Sequence, residues 1–221
     1  MISKLPRWVE YGSFVLAFIA GLVNAIGLLG FKHQAVSHLS GTATLIGTGI
    51  IDSNPFALLH LTLVVFSFLL GSTISGFFLP SESLKLGRNY SGLLLLEACF
   101  LVGSALLLSQ DFIQGHYLAS AACGLQNALA TTFSGAVVRT THLTGIVTDL
   151  GIMFGAKVRG EPFDKRKATL FFIIILGFIA GGAFGALFFN GLKFNALFIP
   201  AGICLLLAVS YSIYNAQMSQ Q

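Results

Sequence analysis

The sequence predicts an all-α polytopic membrane protein. It would hold two repeats of about 100 residues, each with three spanning helices and one short re-entrant or broken helix, the second repeat inverted. Three observations predict this. Of 221 residues, 55% are hydrophobic and 9% charged, with mean hydropathy +0.86, whereas a soluble domain carries roughly a quarter charged residues. The apolar residues fall into long runs with short polar connections. A five-residue motif occurs twice, as Ser37-His38-Leu39-Ser40-Gly41 and Thr141-His142-Leu143-Thr144-Gly145.

The motif belongs to a longer repeat. Gly21-Leu22-Val23-Asn24-Ala25 is echoed by Gly124-Leu125-Gln126-Asn127-Ala128, and Thr44 and Gly47 by Thr148 and Gly151. Residues 1–110 form the first repeat and 111–221 the second, within one integral membrane domain.

In chain order the first apolar segment covers 8–30, entered by Trp8 and Tyr11, which suit the membrane interface. Lys4 and Arg7 precede it, but it lacks a small-residue cleavage site and more spans follow, so it reads as a span and not a removed signal. The second segment, 38–51, is opened by the first motif and closed by Asp52-Ser53-Asn54-Pro55, with Asn54 as N-cap and Pro55 as first helical residue of the next. The third covers 55–80, followed by a connection with Glu82, Lys85 and Arg88. The fourth covers 90–109 and the fifth 115–136; the sixth, 142–156, is opened by the second motif. The most charged connection, Lys157 to Lys167, leads to the seventh at 168–190 and the eighth at 194–214. Gly177, Gly181 and Gly185, spaced by four, predict close helix packing, with Gly71 and Gly76 in a similar role.

Segments two and six are too short for spans, which need roughly 20 residues. The basic residues decide between crossing and dipping. Eight crossings with the N-terminus inside leave seven cations inside and five outside. Six crossings, with both short segments dipping, move Lys85, Arg88 and Arg139 inside and leave only Lys32 and Lys193 outside. The second arrangement obeys the positive-inside rule. Three crossings per repeat then invert the second repeat, bringing the two motifs toward each other from opposite faces.

The polar groups inside apolar segments are the candidates for function. Ser37 and Thr141 are placed to cap the short helices, whose free N–H groups suit an anion or carbonyl oxygen. His38, Ser40, Gly41 and Thr44 with His142, Thr144, Gly145 and Thr148 form a candidate substrate site, together with Asn24 and Asn127 from long spans. Each asparagine would bind substrate or hold the dipping loop, the second being favoured. Gln126, Thr131 and Thr132 extend the fifth segment's polar stripe. Glu97 and Asp149 are carboxylates at apolar positions and candidate coupling acids. The alternative for Glu97 is a structural pair with Arg139 or a histidine. The alternative for Asp149, two turns past His142, is a place close to the cytoplasmic face; it has no repeat partner, because Leu45 stands at the equivalent place. Lys32 and Arg139 precede the motifs as charge candidates, either reinforcing an anion site or anchoring at the interface, with His33 beside Lys32. His60 reads as a satisfied core histidine and His116 as interfacial.

Other classes are disfavoured. The net charge of +4 sits in short connections without interleaved aromatics, so no nucleic acid is expected. Cys99, Cys123 and Cys204 lie in apolar segments and read as packing residues without a disulfide. Two histidines without thiolates or paired carboxylates make a poor ligand set, so no metal is expected, and no cofactor. No phosphate-binding Walker loop, hydrolase elbow or zincin helix is present in the sequence.

The two Gly-Leu-x-Asn-Ala stretches, the two motifs and Glu97-Ala98, in this order and spacing, resemble the YoaK (DUF1275) family of bacterial membrane proteins over nearly the whole chain. Asn24 stands where that family often carries aspartate, and Thr42 where asparagine often follows the glycine. If that aspartate carries protons or cations in relatives, Asn24 cannot do so here. The resemblance implies a multi-pass protein of the bacterial inner membrane and supplies no substrate.

The expectation is a secondary transporter or permease for a small polar or anionic solute, non-enzymatic, with both termini cytoplasmic. Its partners would be that solute and the bilayer, with a homo-oligomer left open. A membrane-embedded enzyme acting on a lipid-borne substrate and a structural or assembly subunit are the alternatives.

Overall fold

The structure, a computed structural model, describes residues 8–30, 35–52, 54–79 and 89–218. Lys4, Arg7, Lys32, His33, Glu82, Lys85 and Arg88 lie outside the described residues. Among the described residues there is no strand. The helices are α1 (Trp8–Gly30), α2 (Leu39–Asp52), α3 (Pro55–Phe78), α4 (Asn89–Leu108), α5 (Gln114–Phe133), α6 (Leu143–Val158), α7 (Lys165–Leu192) and α8 (Phe198–Met218). A 3-10 turn, Lys193–Leu197, joins the last two. The protein is all-α and membrane-like: α1, α3, α4 and the run Lys165–Gln217 holding α7 and α8 are long and apolar enough to cross a membrane.

Local chemistry sets the helix ends. Asn54 caps α3 as expected, its Oδ1 accepting the Ala57 N–H at 3.1 Å, with Pro55 first in the helix. Asp164 caps α7 the same way through the Lys167 N–H at 2.9 Å, so α7 starts three residues before the apolar run. Helix α5 stops at Phe133 and not at 136, because Gly135 and Ala136 take positive φ of 60° and 67°. Helix α8 starts at Phe198 and not at 194, after the 3-10 turn.

The core is two parallel helix pairs locked by glycine. In the pair α1 and α7, a Cβ on Gly181 would overlap the Phe18 carbonyl, and one on Gly21 the Phe178 carbonyl. Gly177 and Gly185 lie against the carbonyls of Phe14 and Leu22 in the same way. In the pair α3 and α5, Gly71 meets the Ala121 carbonyl and Gly124 the Phe68 carbonyl. Only a missing side chain lets backbones approach this closely. Gly76 has nothing within 4 Å of such a Cβ and takes no part.

The pairs meet where α1 crosses α5. Trp8 stacks near Phe133 with centroids 5.4 Å apart, and Gln126 donates to the Leu16 carbonyl at 2.7 Å, so α1 and α5 run antiparallel. Helices α4 and α8 are also antiparallel, with Tyr90 beside Tyr211 at one end and Ser109 bonded to Asn195 at the other. Helix α5 is the most polar of the long helices and lies mostly buried, including Ser120, Gln126 and His116. Protein, not lipid, surrounds its amides and hydroxyls.

Candidate functional site

The motifs place α2 and α6 identically. In each, the histidine carbonyl accepts the first helical hydrogen bond, from Thr42 N–H at 3.1 Å in α2 and from Ile146 N–H at 3.2 Å in α6. The residue ahead of α6 is therefore His142, with no side-chain cap bond. This corrects the assignment of Ser37 and Thr141 as caps, since each stands one place too early. The Ser37 N–H and hydroxyl instead donate to Asn24 Oδ1 at 3.1 and 3.0 Å. Without a capping side chain, the first N–H groups of α6 remain open.

The spacing from histidine to glycine has a steric reason. A Cβ on Gly41 would stand 3.0 Å from His38 Nδ1, and one on Gly145 would overlap the His142 ring. Each imidazole folds back across its own helix start, and only glycine three places on leaves room.

Two loops tie the helix starts to α5. The Val36 carbonyl accepts the Ser120 hydroxyl at 3.1 Å, and Ser120 also reaches the Val64 carbonyl at 2.9 Å. In the other loop, Gln126 donates to Thr140 Oγ1 at 3.2 Å while holding the Leu16 carbonyl. Both anchor points lie near the middle of α5.

The two motifs consequently face one cavity of about 550 Å³. Ser37, His38 and Ser40 line it from the first motif, and Thr141, His142 and Thr144 from the second. Asn127 and Thr131 of α5, Arg139 and Phe68 complete it. The Asn127 Oδ1 is buried and makes no hydrogen bond. Its repeat mate Asn24 is engaged by Ser37, so one asparagine holds the loop and the other faces the cavity. Among the described residues no carboxylate lines this cavity, and the charge they bring to it is positive: a guanidinium and two helix N-termini.

A second cavity of about 290 Å³ adjoins it, and Arg139 and His142 line both. Gly145 and Asp149 of α6, Ala136 and Phe171 are among its other walls. Among the described residues neither Arg139 nor Asp149 makes an ion pair.

The remaining candidates stand elsewhere. The Thr44 and Thr148 hydroxyls bond back to the carbonyls of Ser40 and Thr144 at 3.0 and 2.9 Å, and neither threonine lines the cavity. Gly41 lies beneath His38. Glu97 is 1% exposed, between α4, α5 and α8, with its carboxyl beside the Cys204 thiol. The alternative pairing with Arg139 or a histidine is therefore corrected: a thiol is the partner, and Glu97 lies away from the motif cavity. His116 is 1% exposed and not interfacial; its Nδ1 lies 3.3 Å from His60 Nε2, while His60 Nδ1 lies 3.1 Å from the Tyr117 hydroxyl. His60 is satisfied in the core, as expected. Lys32 lies outside the described residues. Among those residues no group of three or more histidine, cysteine or acidic side chains could hold a metal.

Phe68 and Ser120 are absent from the sequence reading. Phe68 had a signal: Phe68 and Gly71 recur as Phe178 and Gly181, the positions that lock the helix pairs. Ser120 had none, because Ala17 occupies its place in the first repeat.

The model of a family described as "Protein of unknown function (DUF1275)" matches residues 12–210. No curated protein and no solved structure matches the chain.

Proposed function

The chain belongs to the DUF1275 family, whose description names no activity, and from the site we propose a secondary transporter or permease for a small polar or anionic solute. The observation that carries the proposal is the shared cavity: two repeated motifs, distant in sequence, line one chamber with a cation and, among the described residues, no carboxylate. Uncapped helix starts around an internal cavity bind anionic groups in membrane transporters.

The helix directions support six crossings and an inverted repeat. Antiparallel α1 and α5, and antiparallel α4 and α8, are what three crossings per repeat require. Four crossings per repeat would make both pairs parallel. Helix α2 starts at mid-depth beside Asn24 and ends where α3 begins, and α6 does the same from the opposite end toward α7. Their 14 and 16 residues span about 21–24 Å, less than the roughly 30 Å hydrocarbon core. Lys157, Arg159, Lys165, Arg166 and Lys167 gather at the end where α7 begins, and Lys193 lies at the other. That charge bias supports a cytoplasmic side for the first end and both termini, in a bacterial inner membrane.

The test is a thermal-shift screen of purified protein against nitrate, sulfate, small carboxylates and amino acids, followed by uptake into proteoliposomes. At least one compound should stabilise the protein and be taken up, and Arg139→Ala or His38→Ala with His142→Ala should abolish both effects. Absence of any shift and any uptake across the panel sinks the reading.

A further inference from the structure

Arg139 and Asp149 are the unusual charges of the site, and they are unusual together. Both belong only to the second repeat: Ala35 and Leu45 stand at the equivalent places in the first. Both line the second cavity, yet no ion pair joins them. Arg139 also faces the central cavity with the α2 and α6 starts. The second cavity thus holds an unpaired carboxylate, and Arg139 on the wall it shares with the central cavity supplies an unpaired positive charge.

A bare anion meets a conflict there. Seated against Arg139, it would share that cation's neighbourhood with Asp149, whose charge has the same sign. Both side chains are exposed toward the cavity, and an anion compensates only one of the two charges. A solute carrying both signs compensates both. Its acid group takes Arg139 and the open helix N–H groups, and its ammonium takes Asp149.

We propose that the joined cavities bind a small zwitterion, an oxyanion group linked to an ammonium as in an amino acid, with Arg139 reading the acid end and Asp149 the amine. This rests on the central-cavity reading above and narrows its substrate class. His142, like Arg139, lines both cavities. It is also the other titratable group facing Asp149 among the second cavity's walls, besides Arg139; from α7 only Phe171 faces it. Asp149 lies seven residues along α6 from His142, or about 10 Å of helix, a separation within reach of a short flexible zwitterion. The second cavity reaches Ala136, beyond the end of α5, and Phe171 near the start of α7; the solute is assigned as free, and the nanodiscs below test that against a lipid head group.

The experiment compares matched acids with and without the amine: glycine with acetate, β-alanine with propionate, and 4-aminobutyrate with butyrate. Binding to the full chain is read by thermal shift and calorimetry in lipid-free detergent, then repeated in phosphatidylethanolamine nanodiscs. At least one amino acid should bind about tenfold or more tightly than its amine-free partner, as expected for a charge-assisted contact. Asp149→Asn should erase that preference while leaving the amine-free acid bound, and Asp149→Glu should restore it in part. Asp149→Leu, the residue of the first repeat, serves if the asparagine variant is poorly folded. Equal binding within every pair, or a preference that survives both Asp149→Asn and Asp149→Leu, overturns the inference and leaves the anion reading standing. Amine-free acids should bind Asp149→Asn at least as tightly as the parent, since the like charge is gone; markedly weaker binding of them would also overturn the inference. Displacement of amino acids by phosphatidylethanolamine overturns the free-solute assignment. Failure of all six compounds and of the inorganic anions sinks the parent reading as well.

Discussion

The side-chain oxygen of Asn24 accepts both polar hydrogens of Ser37, at 3.1 Å from the backbone N–H and 3.0 Å from the hydroxyl. One amide thereby sets the depth at which the first motif begins. Asn24→Ala removes an acceptor from two part-buried donors and should cost about 1–2 kcal/mol. Asn24→Asp keeps the acceptor and should retain most of the stability. Unfolding of both variants in mild detergent measures this; equal loss in the two would show that acceptance by the side-chain oxygen is not what matters.

The glycine locks make a sharper stability claim. Gly181→Ala and Gly124→Ala each drive a Cβ into a backbone carbonyl of the neighbouring helix, which cannot rotate away. Each should lose about 1–3 kcal/mol or more from overpacking. Gly76→Ala meets nothing within 4 Å and should be neutral or slightly stabilising. Melting temperatures of the three variants test the contrast directly.

Gly145→Ala probes the site. A methyl group there occupies the place of the His142 ring, while no hydrogen bond of the helix start is removed. Ligand-induced thermal shift should fall about as far as in His142→Ala, roughly tenfold in affinity or more. A Gly145→Ala variant that folds and binds as the parent does would detach the imidazole position from binding.

Glu97 and Asp149 divide as candidate acids. Glu97 is enclosed with Cys204 and does not line the motif cavity, whereas Asp149 opens on the second cavity. Glu97→Gln keeps the shape and a hydrogen-bonding group, and uptake should stay within about twofold of the parent. Asp149→Asn should change uptake or its selectivity. A dead Glu97→Gln that still folds would reverse the assignment.

Topology can be read without a ligand. In a Cys99→Ser background the two other cysteines are buried. Asn54→Cys and Gly160→Cys should then label from opposite faces of the membrane with an impermeant thiol reagent. Labelling from one face would falsify the inverted arrangement.

Much of this was legible before any coordinates. The apolar runs announced the long helices because lipid demands such runs, and the duplicated motif announced two equivalent short helices. Asn54-Pro55 marked its helix start because a cap is a local device. Partners were harder. The Glu97 and Cys204 contact joins α4 to α8, and no periodicity encodes it. The cap assignment failed because Ser37 stands one residue ahead of the capping place, and its N–H and hydroxyl donate to Asn24, thirteen residues away. The Phe68 and Phe178 echo was hidden by a longer connection in the second repeat, where α6 outruns α2 and residues 159–164 replace a two-residue link.

The glycine locks also bear on biosynthesis. Gly21 leaves the ribosome long before Phe178, its contact in α7. At about 5–20 residues per second the wait is about 10–30 s. For that interval α1 enters the bilayer with a notched face that nothing yet fills, while α3 waits more briefly for α5. Neither repeat holds a complete lock, so each is a unit of heredity and not of folding. Two separately expressed halves should accumulate only when made together.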